Sequence, residues 1–393
     1  MIFKIKSLGE ICKFQGGSQP PKSNFIYEPK NGYIRFLQIR DFGSENNHTY
    51  IPEDKKNKIC NSDDIMIGRY GASVGKILRG RGGAYNVALM KATPLNSLVN
   101  KEYLWNYFKS SIFQDNLKKV ASRSAQDGFS KDDIFDFKVP LPPLPIQQKI
   151  VEKLDKIFAE IDKATAAAEA NAKNTKLYIG KLSDEIIHEK LKKYKELTLN
   201  DITEVITCGI AKRPKYVESG IPFLSARNVK NGKMKWDRHE FVSEETHNTL
   251  SKYNKPKIGD ILYSRVGAGF GDAAIIDKDI EFSIFVSLTL LKVKPVVLNE
   301  FLYYYLNSPF IKEVARKNIT GTGVGNLNVG AVRLFNIKLP ELKIQNEIVK
   351  KLNYISQNGK ILIELYLKKL EQLSLLKQSI LKQAFNGELV KAA

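Results

Sequence analysis

Residues 71–76 read Gly-Ala-Ser-Val-Gly-Lys, close to the spacing of loops that wrap nucleotide phosphates. Such a loop needs four residues between its glycines, then Lys and a Ser or Thr hydroxyl for magnesium. Here three intervene, Ile77 stands where the hydroxyl belongs, and Asp272 replaces the lysine in a related stretch further along. The glycines are therefore expected at tight turns, because only glycine takes positive φ at little cost. His48, His188, His239 and His247 lack H-E-x-x-H spacing and cysteine partners, so no metal centre is expected. Cys12, Cys60 and Cys208 are odd in number and far apart, which argues against a disulfide framework and for a reducing compartment.

What remains is chemistry directed at a polyanion. The 393 residues carry 62 Lys+Arg against 42 Asp+Glu, a formal charge of +20. At 43% apolar and 26% charged, the composition is that of a folded globular chain; it excludes disorder, collagen-like repeats and a membrane-embedded protein. The longest apolar run, around residues 284–291, falls far short of the roughly 20 residues a membrane span requires, and a cytoplasmic location is expected. Phosphate neutralisation by Lys and Arg releases counterions, so nucleic acid is the simplest partner for such a charge.

Arg or Lys can bridge guanine O6 and N7, and Asn or Gln can pair with adenine N6 and N7. Side chains of these types lie in polar, turn-rich stretches. In the first half they are Gln15, Gln19, Lys22, Asn24, Arg79, Arg81 and the segment 122–126, which holds Arg123 and Gln126. In the second half they are Lys212, Arg213, Lys215, Asn228, Lys230, Lys233, Arg238, Thr322 and Asn326. The plain alternative for any one of them is a solvated loop. Tyr33, Tyr70, Trp236 and Tyr263 have faces suited to bases but equally suit a core or its rim.

The elements that must position these side chains come in duplicate. LPPLPIQQKIVEKLD (residues 141–155) returns 198 residues later as LPELKIQNEIVKKLN (339–353). IRFLQIRD (34–41) matches IPFLSARN (221–228), DIMIGRYGASVG (64–75) matches DILYSRVGAGFG (260–271), and NKEYLWNYFKS (100–110) answers LNEFLYYYLNS (298–308). Two diverged copies of one unit of nearly 200 residues follow. Within each, short β-rich runs punctuated by Gly, Pro and Asn, with one helical stretch near 103–119 or 301–317, predict a compact α/β domain. Past each Leu-Pro the period turns helical: Ile150, Leu154, Ile157 and Ile161 in the first copy, Ile348, Leu352 and Ile355 in the second. Helical runs of 40 to 45 residues would span about 60 to 68 Å, and each needs a partner for its apolar stripe. The other copy's helix is the expected partner, its approach eased by alanines such as Ala164, Ala168 and Ala172. The segments 1–140, 141–190, 191–343 and 344–393 carry net charges of +8, zero, +8 and +4, so the excess lies mostly on the two α/β units. Two linked basic modules suit two separated patches on one polyanion, the second contact being effectively intramolecular.

With its duplicated Leu-Pro-x-Leu-x-Ile-Gln-x-x-Ile-Val openings and the terminal SILKQAFNGELV (379–390), the chain resembles, over essentially its whole length, the specificity subunit of type I restriction–modification enzymes. Ile146 and Ile344 depart from the Glu usual at those helix openings. The resemblance implies target recognition domains at 1–140 and 195–340, helical spacers at 141–194 and 341–393, and a pseudo-twofold arrangement with the long helices antiparallel as a coiled coil. It implies that each domain reads one half of a bipartite, asymmetric duplex site. Methyltransferase subunits would dock on the helices, with Ile146, Gln147, Ile150, Leu154, Ile344, Gln345, Ile348, Leu352 and Phe385 as candidate docking residues, and a restriction or translocase subunit is a further partner that the resemblance allows.

No Asn/Asp-Pro-Pro-Tyr/Phe tetrapeptide of the amino-methyltransferases occurs, so S-adenosylmethionine is expected on the partner and no cofactor on this chain. If the domains read different half-sites, Arg40 with Arg227 and Arg69 with Arg265, shared by both copies, suit phosphate anchoring or fold support rather than base reading. A stand-alone two-headed repressor and a phosphate-loop enzyme are the alternatives. Tight binding without a methyltransferase would mark the first and ATP hydrolysis the second.

Overall fold

A computed structural model describes residues 3–43, 48–95, 97–122, 128–252, 255–320 and 325–390, and divides into two compact units. The first joins Met1–Glu169 to Lys368–Ala393, and the second is Ala170–Leu367. Each is an α/β domain with segments of both long helices packed on it.

In the first unit, Cys12–Gly16, Leu89–Pro94, Ile65–Gly68 and Ile77–Leu78 form a four-stranded antiparallel sheet in that spatial order. A second, mixed sheet orders Tyr50–Pro52, Tyr33–Leu37, Gly83–Tyr85 and Ile59–Cys60, with the middle pair parallel. The second unit repeats this plan. Thr203–Cys208, Leu288–Val293, Ile261–Ser264 and Ala273–Ile275 make the antiparallel sheet, while Ile221–Leu224 pairs antiparallel with Glu240–Val242 and parallel with Ser283–Ile284. Registers correspond as well: Phe36 and Leu37 face Ala84 and Tyr85, as Phe223 and Leu224 face Ser283 and Ile284.

Two expectations needed correction. The single helical stretch is two helices, Lys101–Lys109 and Ser111–Ala121, and likewise Asn299–Asn307 and Pro309–Lys317. Ser110 and Ser308 break the run in extended conformation, at ψ 152° and 145°. Pro309 enforces the second break, since the residue before proline is pushed out of the α region. The longest apolar run, around residues 284–291, is also split between two strands, Ser283–Ile284 and Leu288–Val293, by a turn at residues 285–287 in which the Leu288 amide returns to the Phe285 carbonyl.

The long helices run Leu144–Leu191, 48 residues, and Leu342–Phe385, 44 residues. In the first unit the opening of one lies antiparallel to the end of the other: Asp162 pairs with Lys377, and the Lys153 ammonium donates to the Leu389 carbonyl at 3.2 Å. Ile150, Leu154, Ile161, Ile380, Leu381 and Phe385 join one core with Tyr103, Tyr107 and Phe113. In the second unit Ile186, Ile187 and Leu191 share a core with Ile348, Leu352, Phe301 and Leu302. Ala168, in the thin stretch of the first helix, is 2% exposed. No described helix is long and apolar enough to cross a membrane.

Candidate nucleic-acid interface

The second unit gathers cations on a shaped surface. Val229–Lys230 and Lys233–Met234 form a hairpin closed by Asn231 and Gly232, whose φ values of 53° and 72° are those of a two-residue I′ turn. A cleft of about 650 Å³ beside it is lined by Arg227, Lys230, Lys235, Asp237 and Arg238, with Val266, Gly267 and Gly269 as the opposite wall. An adjoining hollow of about 400 Å³ shares Arg227 and Val266 and adds Arg213, Tyr216, Ser225 and Ser287. Lys212 and Lys215 are exposed on the loop that carries Arg213. Asn326 bridges to Val266, extending the same surface. Arg227 pairs with Glu240 at 2.9 Å, but both are half-exposed and the pair contributes little to stability.

In the first unit, Gln19 and Asn24 line a hollow of about 240 Å³ with Asp54, Lys56 and Asn57, and Lys22 is exposed on the same 3₁₀ turn. Gln15, exposed on its strand, accepts a hydrogen bond from the Tyr85 hydroxyl at 3.2 Å. Arg40 projects from the 3₁₀ turn Ile39–Phe42, and Arg81 is half-buried. Arg123, Gln126 and Thr322 lie outside the described residues.

Several sequence candidates have other work. Arg265 is 4% exposed; Nη1 donates to the Leu327 carbonyl at 2.6 Å and Nη2 to that of Val286, and burial lowers its pKa from the usual guanidinium range. Arg69 does the same in the other copy, with Nε donating to Phe129 O at 3.1 Å and Nη1 to Val87 O at 3.4 Å. This pair therefore ties the loop after each central strand to its neighbours. That corrects Arg265 as a DNA contact, since the guanidinium is buried and donates Nη1 and Nη2 to carbonyls, with only Nε left without a partner; Arg69, half-buried, takes the same internal role. Arg79 is also committed: Nη1 reaches both Glu102 oxygens at 2.6 and 2.7 Å, and the guanidinium lies 4.1 Å over Trp105. Lys109 covers the same ring at 4.2 Å, its pKa lowered by burial and then by the Arg79 charge. Tyr263 is fully buried, and the Trp236 Nε1 donates to Asp277 at 2.8 Å. Asn228 is buried too, its amide donating to the Lys235 carbonyl at 2.8 Å, so it braces the basic loop from below.

These assignments separate two kinds of arginine by experiment. Arg265→Leu should destabilise by about 2–4 kcal/mol, because two buried carbonyls lose their donors. Arg40→Gln, at an exposed position, should stay within about 0.5 kcal/mol. Thermal or urea unfolding checks both, and an unchanged midpoint for Arg265→Leu would contradict the internal role.

The glycine loops adopt tight turns. Gly71 and Gly75 have φ of 53° and 78°, and Gly267 and Gly271 have 74° and 77°. Amides that a phosphate loop would present are used internally: Val74 N bonds Gly71 O, Gly75 N bonds Gly68 O, and Lys76 N bonds Ser73 O. A Cβ on Gly75 would sit 2.6 Å from Gln114 Oε1.

The docking candidates on the long helices are likewise turned inward. Ile150, Leu154, Ile348, Leu352 and Phe385 are at most 1% exposed, and Ile146 and Ile344 are half-buried against the same cores. Gln147 and Gln345, both fully buried, latch each long helix to its domain. Gln147 accepts from the Asn100 amide at 2.8 Å and donates to Pro142 O at 2.8 Å and Leu98 O at 3.1 Å. Gln345 repeats this with Leu298 N, Pro340 O and Val296 O, all at 2.8 Å. The paired Ile-Gln openings thus serve the chain's own fold. Asp272, Asn228 and Lys235 were not recognised as a group from the sequence; the replacement of Lys76 by Asp272 was the signal that the two loops differ.

Comparison with known proteins agrees with this duplicated geometry. Two segments, residues 3–172 and 191–372, match the family model of the type I restriction modification DNA specificity domain. The chain is 23% identical to the type I restriction enzyme MjaVIII specificity subunit of Methanocaldococcus jannaschii, over 98% of this chain and 93% of that one. It is 26% identical to the EcoBI specificity subunit of Escherichia coli, over 94% and 82%. Among solved structures, a chain from a study of complex assembly and conformational transition in the type I R-M system matches with TM-score 0.73 and 18% identity, over 98% of both chains. The HsdS subunit from Thermoanaerobacter tengcongensis matches with TM-score 0.51 and 17% identity, over 98% and 97%. At these identities the structural likeness is one of fold, whereas the family model covers most of the sequence, twice over. The chain belongs to the type I restriction–modification DNA specificity family.

Proposed function

We propose that this chain is the non-catalytic reading subunit of a type I restriction–modification complex. Each α/β domain reads one half of a bipartite, asymmetric duplex site. Methyltransferase subunits dock on the chain and bring S-adenosylmethionine and the transfer chemistry; a restriction or translocase subunit joins through them. The observation that carries this reading is a repeated frame with diverged basic surfaces. The Arg69 and Arg265 ties and the Gln147 and Gln345 latches are the same in both units, while the exposed cations differ. A common frame with unlike surfaces suits two different half-sites, and linking them raises avidity without any new contact. A self-contained repressor has no specific observation in its favour, and the internally bonded glycine turns disfavour a phosphate loop.

The test is an exchange of residues 1–140 for the corresponding domain of another specificity subunit. The full chain is co-expressed with its methyltransferase subunits in a host lacking other methylation, and methylated bases are mapped by single-molecule sequencing. One half of the motif should change and the other remain. Alteration of both halves, or methylation without sequence preference, would refute the assignment.

A further inference from the structure

We infer that the cleft beside the Asn231-Gly232 hairpin is a phosphodiester-backbone anchor, and that Asp272 is the residue that positions it. The inference rests on the DNA-reading function above and specifies what one surface contributes to it.

Lys230 and Lys233 are direct cross-strand partners at the end of the hairpin, and both are exposed. Like charges directly opposite each other on a ladder are destabilising, and neither lysine has an acidic partner within 4 Å among the described residues. Such a pair becomes favourable only when an anion lies between or across the two ammonium groups. Lys235 and Arg238 extend the same positive wall, against the single acid Asp237. Among the described residues the cleft wall has no Asn, Gln, Ser or Thr side chain, so it offers charge and no amide for adenine; the unpaired lysines suit phosphate, and a guanine contact by them is the outcome that motif mapping would expose.

The hairpin is held in place from beneath. Asp272, 7% exposed, accepts the Asn231 amide at 2.6 Å through Oδ2 and binds the Lys312 ammonium at 2.5 Å through Oδ1. Gly232 abuts the Tyr303 hydroxyl so closely that a Cβ there would lie 2.7 Å from it. Val229 and Met234 root the ladder in the core. The two ammonium groups are thus presented on a backbone whose turn is fixed by a buried carboxylate, and little ordering is left for the moment of binding. The bracing residues are not repeated in sequence: in the aligned stretches of the first copy, Lys76 stands where Asp272 does and Gln114 where Lys312 does.

The experiment uses the full chain with its methyltransferase subunits and a duplex carrying the methylated motif. Affinity is read by fluorescence anisotropy across a salt series, and the motif by methylation mapping. Lys230→Gln and Lys233→Gln should each weaken binding and lower the slope of log K against log salt by about 1, with the motif unchanged. Asp272→Ala should also weaken binding, whereas Asp272→Asn, which keeps an acceptor for the Asn231 amide, should restore most of the affinity. Asp272→Leu, of similar bulk but without an acceptor, should weaken binding as Asp272→Ala does; affinity kept by Asp272→Leu would mean that the side chain served only as bulk in the core. Unchanged affinity and slope in the double lysine variant would overturn the anchor. Altered bases in the second half-site would overturn it too, by making the hairpin a base reader. A wild-type complex that methylates without any motif would instead refute the parent reading, and this inference with it.

Discussion

Phe385→Ala should cost the first unit about 3–5 kcal/mol, a large part of what holds a domain of this size folded. The ring is 1% exposed, with its centroid 5.0 Å from that of Tyr103 and 5.6 Å from that of Tyr107, both edge to face. Ile380, Leu381 and Ala384 share that core, so truncation leaves a cavity walled by rigid rings and a helix. The helix then stops at Gly387, φ 76°, where Gly387 N returns to Ala384 O and Glu388 N to Gln383 O. That stop folds Leu389 and Val390 back onto the core. Hydrogen exchange checks the expectation: protection should fall across Lys101–Lys109 and Ser111–Ala121, with residues 196–340 retaining theirs. Phe385→Leu, which keeps most of the volume, should cost less than half as much. Wild-type protection in the alanine variant would remove the C-terminal segment from the first core.

The second large effect is expected at Gln345→Leu, a change of nearly equal volume. It removes three hydrogen bonds at once and leaves the Leu298 amide and the carbonyls of Val296 and Pro340 without partners at a buried position. Each orphaned group costs about 1–3 kcal/mol, though relaxation reduces the sum, so a loss of about 3 kcal/mol is expected. Gln147→Leu should act the same way on the first unit. Localised loss of exchange protection around residues 298–307 for Gln345→Leu, and around 100–109 for Gln147→Leu, is the measurement. Equal and global effects from both would mean that the latches do not belong to separate units.

The duplicated plan was legible because strand and helix starts leave marks in sequence: Leu-Pro before each long helix, glycines at the turns, and apolar runs of strand length. The destinations of individual side chains were not. Arg69 and Arg265 look identical in sequence whether they meet phosphate or carbonyl oxygen; only the loops around residues 129 and 327, folded over them, decide. Gln147 and Gln345 suit partner docking by resemblance, since nothing local says that the segments at 98–100 and 296–298 close over them. Ser110 was hidden inside an apolar period that runs on through it, and the break depends on two helices wrapping one core. The basic loop at 227–238 was legible as a set of cations. Its brace was not, because Asp272 and Lys312 come from segments 40 residues apart.

The first unit is assembled from two separated segments, 1–169 and 368–393, whereas the second is continuous over 170–367. On the ribosome this inverts the usual order, in which earlier-made domains finish earlier. The module synthesised second can complete its core while the opening residues still await the final turn carrying Phe385. A stop codon anywhere between residues 368 and 385 would therefore damage the unit whose sheets were translated before residue 170.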